Sequence, residues 1–170
     1  MLVTQHPVFR QFWYPVMPIE HLHEGPQSFC LLGQQLVLWL DSLDRPAAVE
    51  DRCCHRSARL SQGKVRQGQI QCPYHGWCFD AEGICVQVPQ LPEQTIPNSY
   101  RGRAFQCAQR YGYVWVCLGT PLTDIPTIPE ADEPNFRYIP ELYEVWHCAG
   151  LRLMENSFDI AVSILLRYSS

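Results

Sequence analysis

Apolar and polar residues alternate in short bursts along this chain, and no 3.6-residue period persists before residue 150. Residues 8–17, "VFRQFWYPVM", are rich in aromatics and broken by Pro15, with Pro18 following, which suits a short strand or arm. "SFCLLGQQLVLWLD" (28–41) predicts two strands around a tight turn at Gly33–Gln35. "AAVEDR" (47–52) and "GQIQC" (68–72) each predict a strand that feeds a cysteine-bearing loop. "GWCFDAEGICVQVP" (76–89) has the form of a hairpin around Asp80–Gly83. "AFQCAQRYGYVWVCLG" (104–119) repeats that form with Tyr111-Gly112 near its turn. Short strands at regular spacing predict an all-β domain, a compact antiparallel sandwich or small barrel.

The pattern changes after residue 118. Prolines at 121, 126, 129, 134 and 140 exclude a continuous helix or central strand and mark 119–140 as an extended linker leaving the β domain. "ELYEVWHCAG" (141–150) resumes a strand-like pattern. "RLMENSFDIAVSILL" (152–166) starts an amphipathic helix that carries Asn156 and Asp159 on one turn.

Composition narrows the class. With 46% hydrophobic residues in 170, one packed domain has enough apolar material for a core. A net charge of −4 argues against a general nucleic-acid binder. No charged-then-apolar leader opens the sequence. Its most apolar run, "CLLGQQLVLWL", is too short to span a bilayer and is interrupted by two glutamines. A soluble protein of a cytoplasmic-type compartment is expected. Nine cysteines, an odd number at irregular spacing, do not make a secreted disulfide framework. Cys30, Cys107, Cys117 and Cys148 lie in apolar runs and are expected to be buried small hydrophobes. Cys53, Cys54, Cys72, Cys78 and Cys85 lie in or near Gly/Pro-containing loops, where ligands belong.

The chemistry sits in two of those loops. Cys53-x-His55 is followed, after sixteen intervening residues, by Cys72-x-x-His75. Each half offers one thiolate and one imidazole on a tight turn. This is the inventory of a Rieske-type [2Fe–2S] cluster, with two Cys on one iron and two His on the other. The same set would satisfy tetrahedral zinc. Classical zinc fingers pair Cys with Cys and His with His, whereas here each loop mixes them, and the loops follow strands. Cys54 and Cys78 read as bystanders: a neighbour of a ligand on so tight a loop points elsewhere, and Cys78 packs in the hairpin.

The loops "DRCCHRSARLSQG" and "CPYHGWCFD" resemble Rieske loops beyond the ligands themselves. Together with "FWYPV", "LLGQQLVLWLD", "GICVQVPQ", "RYGYVWVCL", "IPEADEPNFR" and "ENSFDIA", they make the chain resemble the N-terminal part of Rieske non-haem iron oxygenases. The likeness is strongest to the pheophorbide a oxygenase and chlorophyllide oxygenase group, of cyanobacterial or plastid type. It implies a Rieske [2Fe–2S] domain over 1–118, the linker 119–140, and the truncated start of an oxygenase catalytic domain over 141–170. It assigns Cys53, His55, Cys72 and His75 as cluster ligands. Rieske proteins of cytochrome complexes carry a stapling cysteine in each loop. Here those positions are Ala58 and Tyr74, and Gly76-Trp77 follows His75 where the high-potential proteins have a serine.

In such oxygenases the cluster feeds electrons to a mononuclear Fe(II) held by two His and a carboxylate. Asn156 and Asp159 match the first half of the motif, Asp159 as the carboxylate bridging cluster to iron. Val162 and Arg167 stand where the iron-binding histidines are expected, so this iron is not expected to bind and the chain alone is not expected to oxygenate. The resemblance further implies a ferredoxin or flavin reductase as electron donor. It also fits a homo-oligomer and a cytoplasmic or stromal location, peripheral to thylakoid membranes. Arg52, Arg56 and Arg59 beside the first loop read as a solvated face or as a docking patch for an acidic ferredoxin. His6, His21 and His23, set before any packed element, suit solvent-facing or capping roles, and His147 suits a core or surface position. Two alternatives stand: a self-standing Rieske ferredoxin, which would have no need of the linker and "ENSFD", and a non-catalytic zinc-binding module.

Overall fold

A computed structural model describes residues 6–91, 95–137, 143, 144, 146, 148 and 150–157. Among the described residues, ten strands form two antiparallel sheets. The larger holds β1 (Tyr14–Pro18), β2 (Gln27–Leu31), β3 (Gln34–Leu40), β4 (Pro46–Glu50), β9 (Ala104–Arg110) and β10 (Tyr113–Cys117), in the order β1-β10-β9-β4-β3-β2. The smaller holds β5 (Lys64–Arg66), β6 (Gln69–Gln71), β7 (Cys78–Phe79) and β8 (Cys85–Gln87), in sequence order. The expected all-β class holds. Residues from both edge strands, Val16 and Met17 of β1 and Leu31 of β2, share one core with Leu36, Leu38, Val114 and Val116. The large sheet therefore curls over that core until it is nearly a closed barrel.

The run "LVLWL" is continuously apolar because β3 is buried on both faces. Leu36 and Leu38 face the barrel interior, while Val37 and Trp39 face a second core shared with Ile70, Trp77, Phe79 and Cys85. In β4, Ala48 faces the barrel and Ala47 and Val49 face the small sheet. The Trp39 indole N–H donates to the Gly68 carbonyl at 2.9 Å, which ties the β5–β6 turn to β3. Gly68 has φ +76, and a Cβ there would lie 2.0 Å from the Ser42 amide nitrogen, so only glycine allows this approach.

Three hairpins turn on an X-Gly pair with both residues at positive φ: Leu32-Gly33, Gln67-Gly68 and Tyr111-Gly112. The β2–β3 turn thus falls at Leu32-Gly33, not at Gly33–Gln35: Gln34 already pairs with Leu31, and Gln35 with Cys30. That register also corrects the burial expected of Cys30. It lies on an outward-facing position of the edge strand β2 and is exposed. Cys148 is exposed as well, Cys107 is half-buried and Cys117 is buried.

The N-terminal arm is more ordered than expected. A 3₁₀ turn over Pro7–Gln11 is capped by His6, whose Nδ1 accepts from the Val8 amide at 3.3 Å. A second, Ile19–Glu24, carries His21 and His23 and buries Ile19 and Leu22 in the barrel core, so these histidines do not precede all packed structure. Beyond β10, the Arg110 guanidinium donates to the Ile125 carbonyl at 3.0 Å and the Ile128 amide donates to the Tyr111 hydroxyl at 2.8 Å. This part of the proline-rich segment accordingly runs back along the β9–β10 turn. A separate unit, Ile139–Ser170, contains the helix α1 (Gly150–Ser157). Of 141–149 only residues 143, 144, 146 and 148 are described, so the strand-like pattern of "ELYEVWHCAG" lies largely outside the described residues. His147, Asp159, Val162 and Arg167 lie outside the described residues.

The β3–β4 and β7–β8 turns use one device twice. The Asp41 carboxylate accepts from the amides of Leu43 and Arg45 at 2.8 and 3.0 Å, and Asp80 accepts from those of Glu82 and Ile84 at 3.1 and 2.8 Å. The fourth residue of each turn, Asp44 or Gly83, is left-handed. Arg45 adds a two-pronged bond to Asp41, but its side chain is 67% exposed, so the backbone amides carry most of the value. Burial pushes the Asp41 carboxyl up, and the Arg45 and Leu43 donors outweigh it, holding the group below the usual carboxylate range. A depressed carboxyl contributes stability above its unfolded-state pKa and loses it as pH falls through the folded value. Asp41→Asn should therefore cost about 1 kcal/mol at pH 7. The difference from wild type should shrink as urea melts are taken below about pH 4. A difference that stays constant down to pH 2.5 would contradict this account.

Candidate functional site

Two loops reach one end of the small sheet. The first leaves β4. Its Cys53 amide donates to the Ala58 carbonyl at 2.8 Å, and the Ser57 amide donates back to the Cys53 carbonyl at 2.9 Å. The second leaves β6. Its Cys72 amide donates to the Trp77 carbonyl at 2.8 Å, and the Gly76 amide donates to the Cys72 carbonyl at 3.1 Å. The fifth residue is left-handed in both, Ser57 at φ +58 and Gly76 at φ +75. The two loops are copies of one backbone turn, each with its cysteine first. The base of the first is closed by Asp51, 7% exposed, whose carboxylate accepts from the Ser61 amide and hydroxyl at 2.7 Å each.

The side chains sort by depth. Cys53 and Cys72 are 2% and 3% exposed, and their thiols interact with each other. Burial, above all, together with Cys72 pushes the Cys53 thiol up to about 11, against a hydrogen bond from the His55 amide that favours the thiolate. His55 is exposed and His75 half-buried, with ring centroids 4.7 Å apart. Desolvation, then the neighbouring His75 and Arg56, hold the His55 imidazole below its ordinary pKa, which keeps a lone pair free at neutral pH. The His75 Nδ1 atom is buried with no hydrogen-bond partner. A buried imidazole nitrogen without a partner is costly unless it is a ligand atom.

Aromatic rings hold the imidazoles. Trp77, 6% exposed, lies parallel to His55 at 4.5 Å and 2°, and stacks on Tyr100 behind it at 4.8 Å. Tyr74, 62% exposed, packs on His75 at 3.9 Å. A third segment, the Val88–Leu91 turn, completes the rim. With His55, Arg56, Tyr74, His75 and Trp77, residues Val88, Gln90 and Leu91 line a cavity of about 520 Å³. Among the described residues no three His, Cys, Asp or Glu side chains gather closely enough to hold a single metal ion. A thiol pair beside an imidazole pair is instead what two bridged irons require, each taking two protein ligands.

The Rieske [2Fe-2S] domain family matches residues 12–107, more than half of the chain. This chain belongs to that family. The methylxanthine N1-demethylase NdmA of Pseudomonas putida is 38% identical over 89% of this chain, which covers 45% of the demethylase. Its solved structure superposes with a TM-score of 0.72 at 39% identity, covering 77% of this chain and 42% of that one. The chloroplastic chlorophyllide a oxygenase of Chlamydomonas reinhardtii is 34% identical over 89% of this chain and 23% of its own. The chain thus spans less than half the length of these relatives. The resemblance to chlorophyll-related Rieske oxygenases holds, but the bacterial demethylase, at 38% against 34%, is the more similar of the two, so the likeness is not strongest to the chlorophyll-related group. The family's cofactor is a [2Fe–2S] cluster, and the residues here fit it: two deep thiols, two adjacent imidazoles and an unpartnered ring nitrogen.

Of the remaining cysteines, Cys78 is buried and its single S–H has the Gly76 carbonyl and the Gln87 amide oxygen within reach as acceptors, so it packs in the hairpin as expected. Cys54 is exposed and Cys85 buried. The sequence reading missed Gln90, Tyr100 and Asp51. "VPQ" carried a signal, since a Val-Pro-Gln turn can fold back on the strand pair before it.

The paired loops yield a contrast. Gly76→Ala puts a side chain on a left-handed backbone and 3.2 Å from the Pro89 ring. It should cost about 1–3 kcal/mol in a urea melt. Ser57→Gly relaxes the same conformation in the first loop and should fall within about 1 kcal/mol of wild type. Equal losses at both positions would show that the loops are not equivalent.

Proposed function

We propose that Cys53 and Cys72 hold one iron of a [2Fe–2S] cluster as thiolates and that His55 and His75 hold the other as neutral imidazoles. On this reading the chain is the electron-transfer part of an oxygenase. The observation that carries it is the convergence of two like loops, each with a buried thiol and an imidazole at the cavity, one imidazole having an unpartnered buried Nδ1. When bound, the cluster supplies one-electron redox chemistry. The chain's residues do the rest. Cys53 gives up its proton on loading, and the His55 amide then donates to a thiolate, a stronger bond than to a thiol. Trp77 and Tyr74 shield one face of each imidazole from water.

The whole protein, by likeness to its relatives, is an O₂-dependent oxygenase of a ring substrate, of chlorophyll-derived or methylxanthine type. It draws electrons from a ferredoxin or flavin reductase. Arg52, Arg56 and Arg59, all exposed on the first loop, suit an acidic donor. A homo-oligomer and a cytoplasmic or stromal setting, peripheral to thylakoids, belong to the same proposal. So does the division into a cluster domain over 1–118, a linker over 119–140 and a catalytic-domain segment over 141–170. No helix among the described residues is long and apolar enough to cross a membrane. Asp159, with Val162 and Arg167 beside it in sequence, offers one carboxylate, too few ligands for a mononuclear iron.

Purified and reconstituted, the chain should be brown. It should bind two irons and two labile sulfides, with an EPR signal that appears only on reduction and carries the low average g-value of mixed nitrogen and sulfur ligation. His55→Ala or Cys72→Ala should abolish that signal. With glycine in place of a hydroxyl donor after His75, the potential should lie toward the low end of the Rieske range, about −150 mV. Zinc without sulfide, or a third tightly bound iron, would overturn the reading.

A further inference from the structure

We propose that Gln90 is a positioning residue that fixes the plane of Trp77 against the His55 imidazole and anchors the backbone that carries His75. The proposal rests on the cluster reading above. Gln90 lies in the turn Val88-Pro89-Gln90-Leu91, closed by the Leu91 amide donating to the Val88 carbonyl at 2.9 Å. Its side chain makes two bonds in opposite senses. The Trp77 indole N–H donates to Gln90 Oε1 at 3.1 Å, and Gln90 Nε2 donates to the His75 backbone carbonyl at 3.0 Å.

An indole N–H can only donate and a carbonyl can only accept, so the amide has one orientation that satisfies both. The bonds connect the ring that stacks on His55 to the backbone that carries His75. One exposed side chain therefore ties the Val88–Leu91 turn to the second loop at two points, and the first loop is reached from there through the stacking of Trp77 on His55. Glutamine is required on this account. Glutamate would keep the acceptor for Trp77 and lose the donor to His75, and leucine would lose both. Without the acceptor, a nearly buried indole N–H has no partner, and the ring is free to tilt off His55.

The test compares wild type, Gln90→Leu and Gln90→Glu in the 170-residue chain, with and without iron and sulfide. Without the cluster, hydrogen exchange at the Trp77 indole N–H, followed by NMR, should speed up about tenfold in Gln90→Leu and stay near wild type in Gln90→Glu. With the cluster, both variants should load to wild-type iron content. The principal g-values and the imidazole nitrogen couplings should shift most in Gln90→Leu and less in Gln90→Glu. In a Trp77→Phe background, Gln90→Leu should add only the smaller shift that Gln90→Glu shows alone, because the larger part passes through the indole. A faster indole exchange with unchanged g-values and couplings would make Gln90 merely structural and overturn the proposal. So would wild-type exchange in Gln90→Leu. Should Gln90→Leu fail to fold, Gln90→Glu decides: unchanged nitrogen couplings in it refute the link to His75. A wild-type chain lacking the mixed-ligand signal would overturn the cluster reading instead, while the exchange measurement still tests the bond between Gln90 and Trp77.

Discussion

The site depends on a seam between two sheets, the face of β3 and β4 on which the small sheet rests. Val37, Trp39, Ala47 and Val49 are each 3% exposed or less and meet Ile70, Phe79, Cys85 and Val88 across it. The first loop grows out of β4 and the second out of β6, so the spacing of the two cysteines is the spacing of this seam. Hydrophobic contact alone would let the sheets slide. The bond from Trp39 to the Gly68 carbonyl opposes sliding, and the closeness of Gly68 to Ser42 leaves no room for another register. Because Leu36, Leu38 and Ala48 bury the reverse face of the same strands in the barrel, the seam has a stiff backing.

On that base the chain reuses small devices. An X-Gly turn closes three hairpins, an aspartate turn closes two more, and one cysteine turn occurs twice. The repetition has a physical advantage at the loops. Two equivalent turns meeting at one point give approximate two-fold symmetry, which suits a cofactor whose two irons are joined by two sulfides. The symmetry breaks where it must: His55 follows its cysteine by two positions and His75 by three. Accordingly one imidazole is exposed against Trp77 and the other is partly buried under Tyr74.

The strands and the paired half-motifs were legible in the sequence because both are local patterns. Alternation marks strands, and a thiol and an imidazole two or three residues apart mark a ligand loop. The β2–β3 turn was misplaced because "LLGQQ" offers no Asn or Asp, and Gly33 takes the second turn position with Leu32 forced left-handed before it. Cys30 was misjudged because an apolar neighbourhood in sequence says nothing about which face of an edge strand a residue occupies. The 3₁₀ turns of the N-terminal arm were invisible, since five or six residues are too few to show a period. Gln90 and Tyr100 act on the site from a distance in sequence, through contacts that only the packed fold creates, and Asp51 acts through Ser61 at the far end of its own loop.

On the proposed ligation, depth within the site decides where electrons cross. The thiols sit in the core behind Leu60 and Ile70, where water and partner proteins do not reach. The imidazoles front the cavity, flanked by Arg56 and the exposed ring of Tyr74. Electron exchange with another protein needs close approach to the cluster, and only the histidine end permits it. The same end must stay guarded from water, because an iron ligated by an exposed imidazole is the more easily hydrated. Flat rings pressed on the imidazoles suit both demands: the exposed Tyr74 covers His75 with one ring's thickness, and the nearly buried Trp77 backs His55 from within. A bulky aliphatic wall would exclude water equally well while holding the partner farther off. The tyrosine of "CPYHGW" thus suits the proposed transfer by being thin.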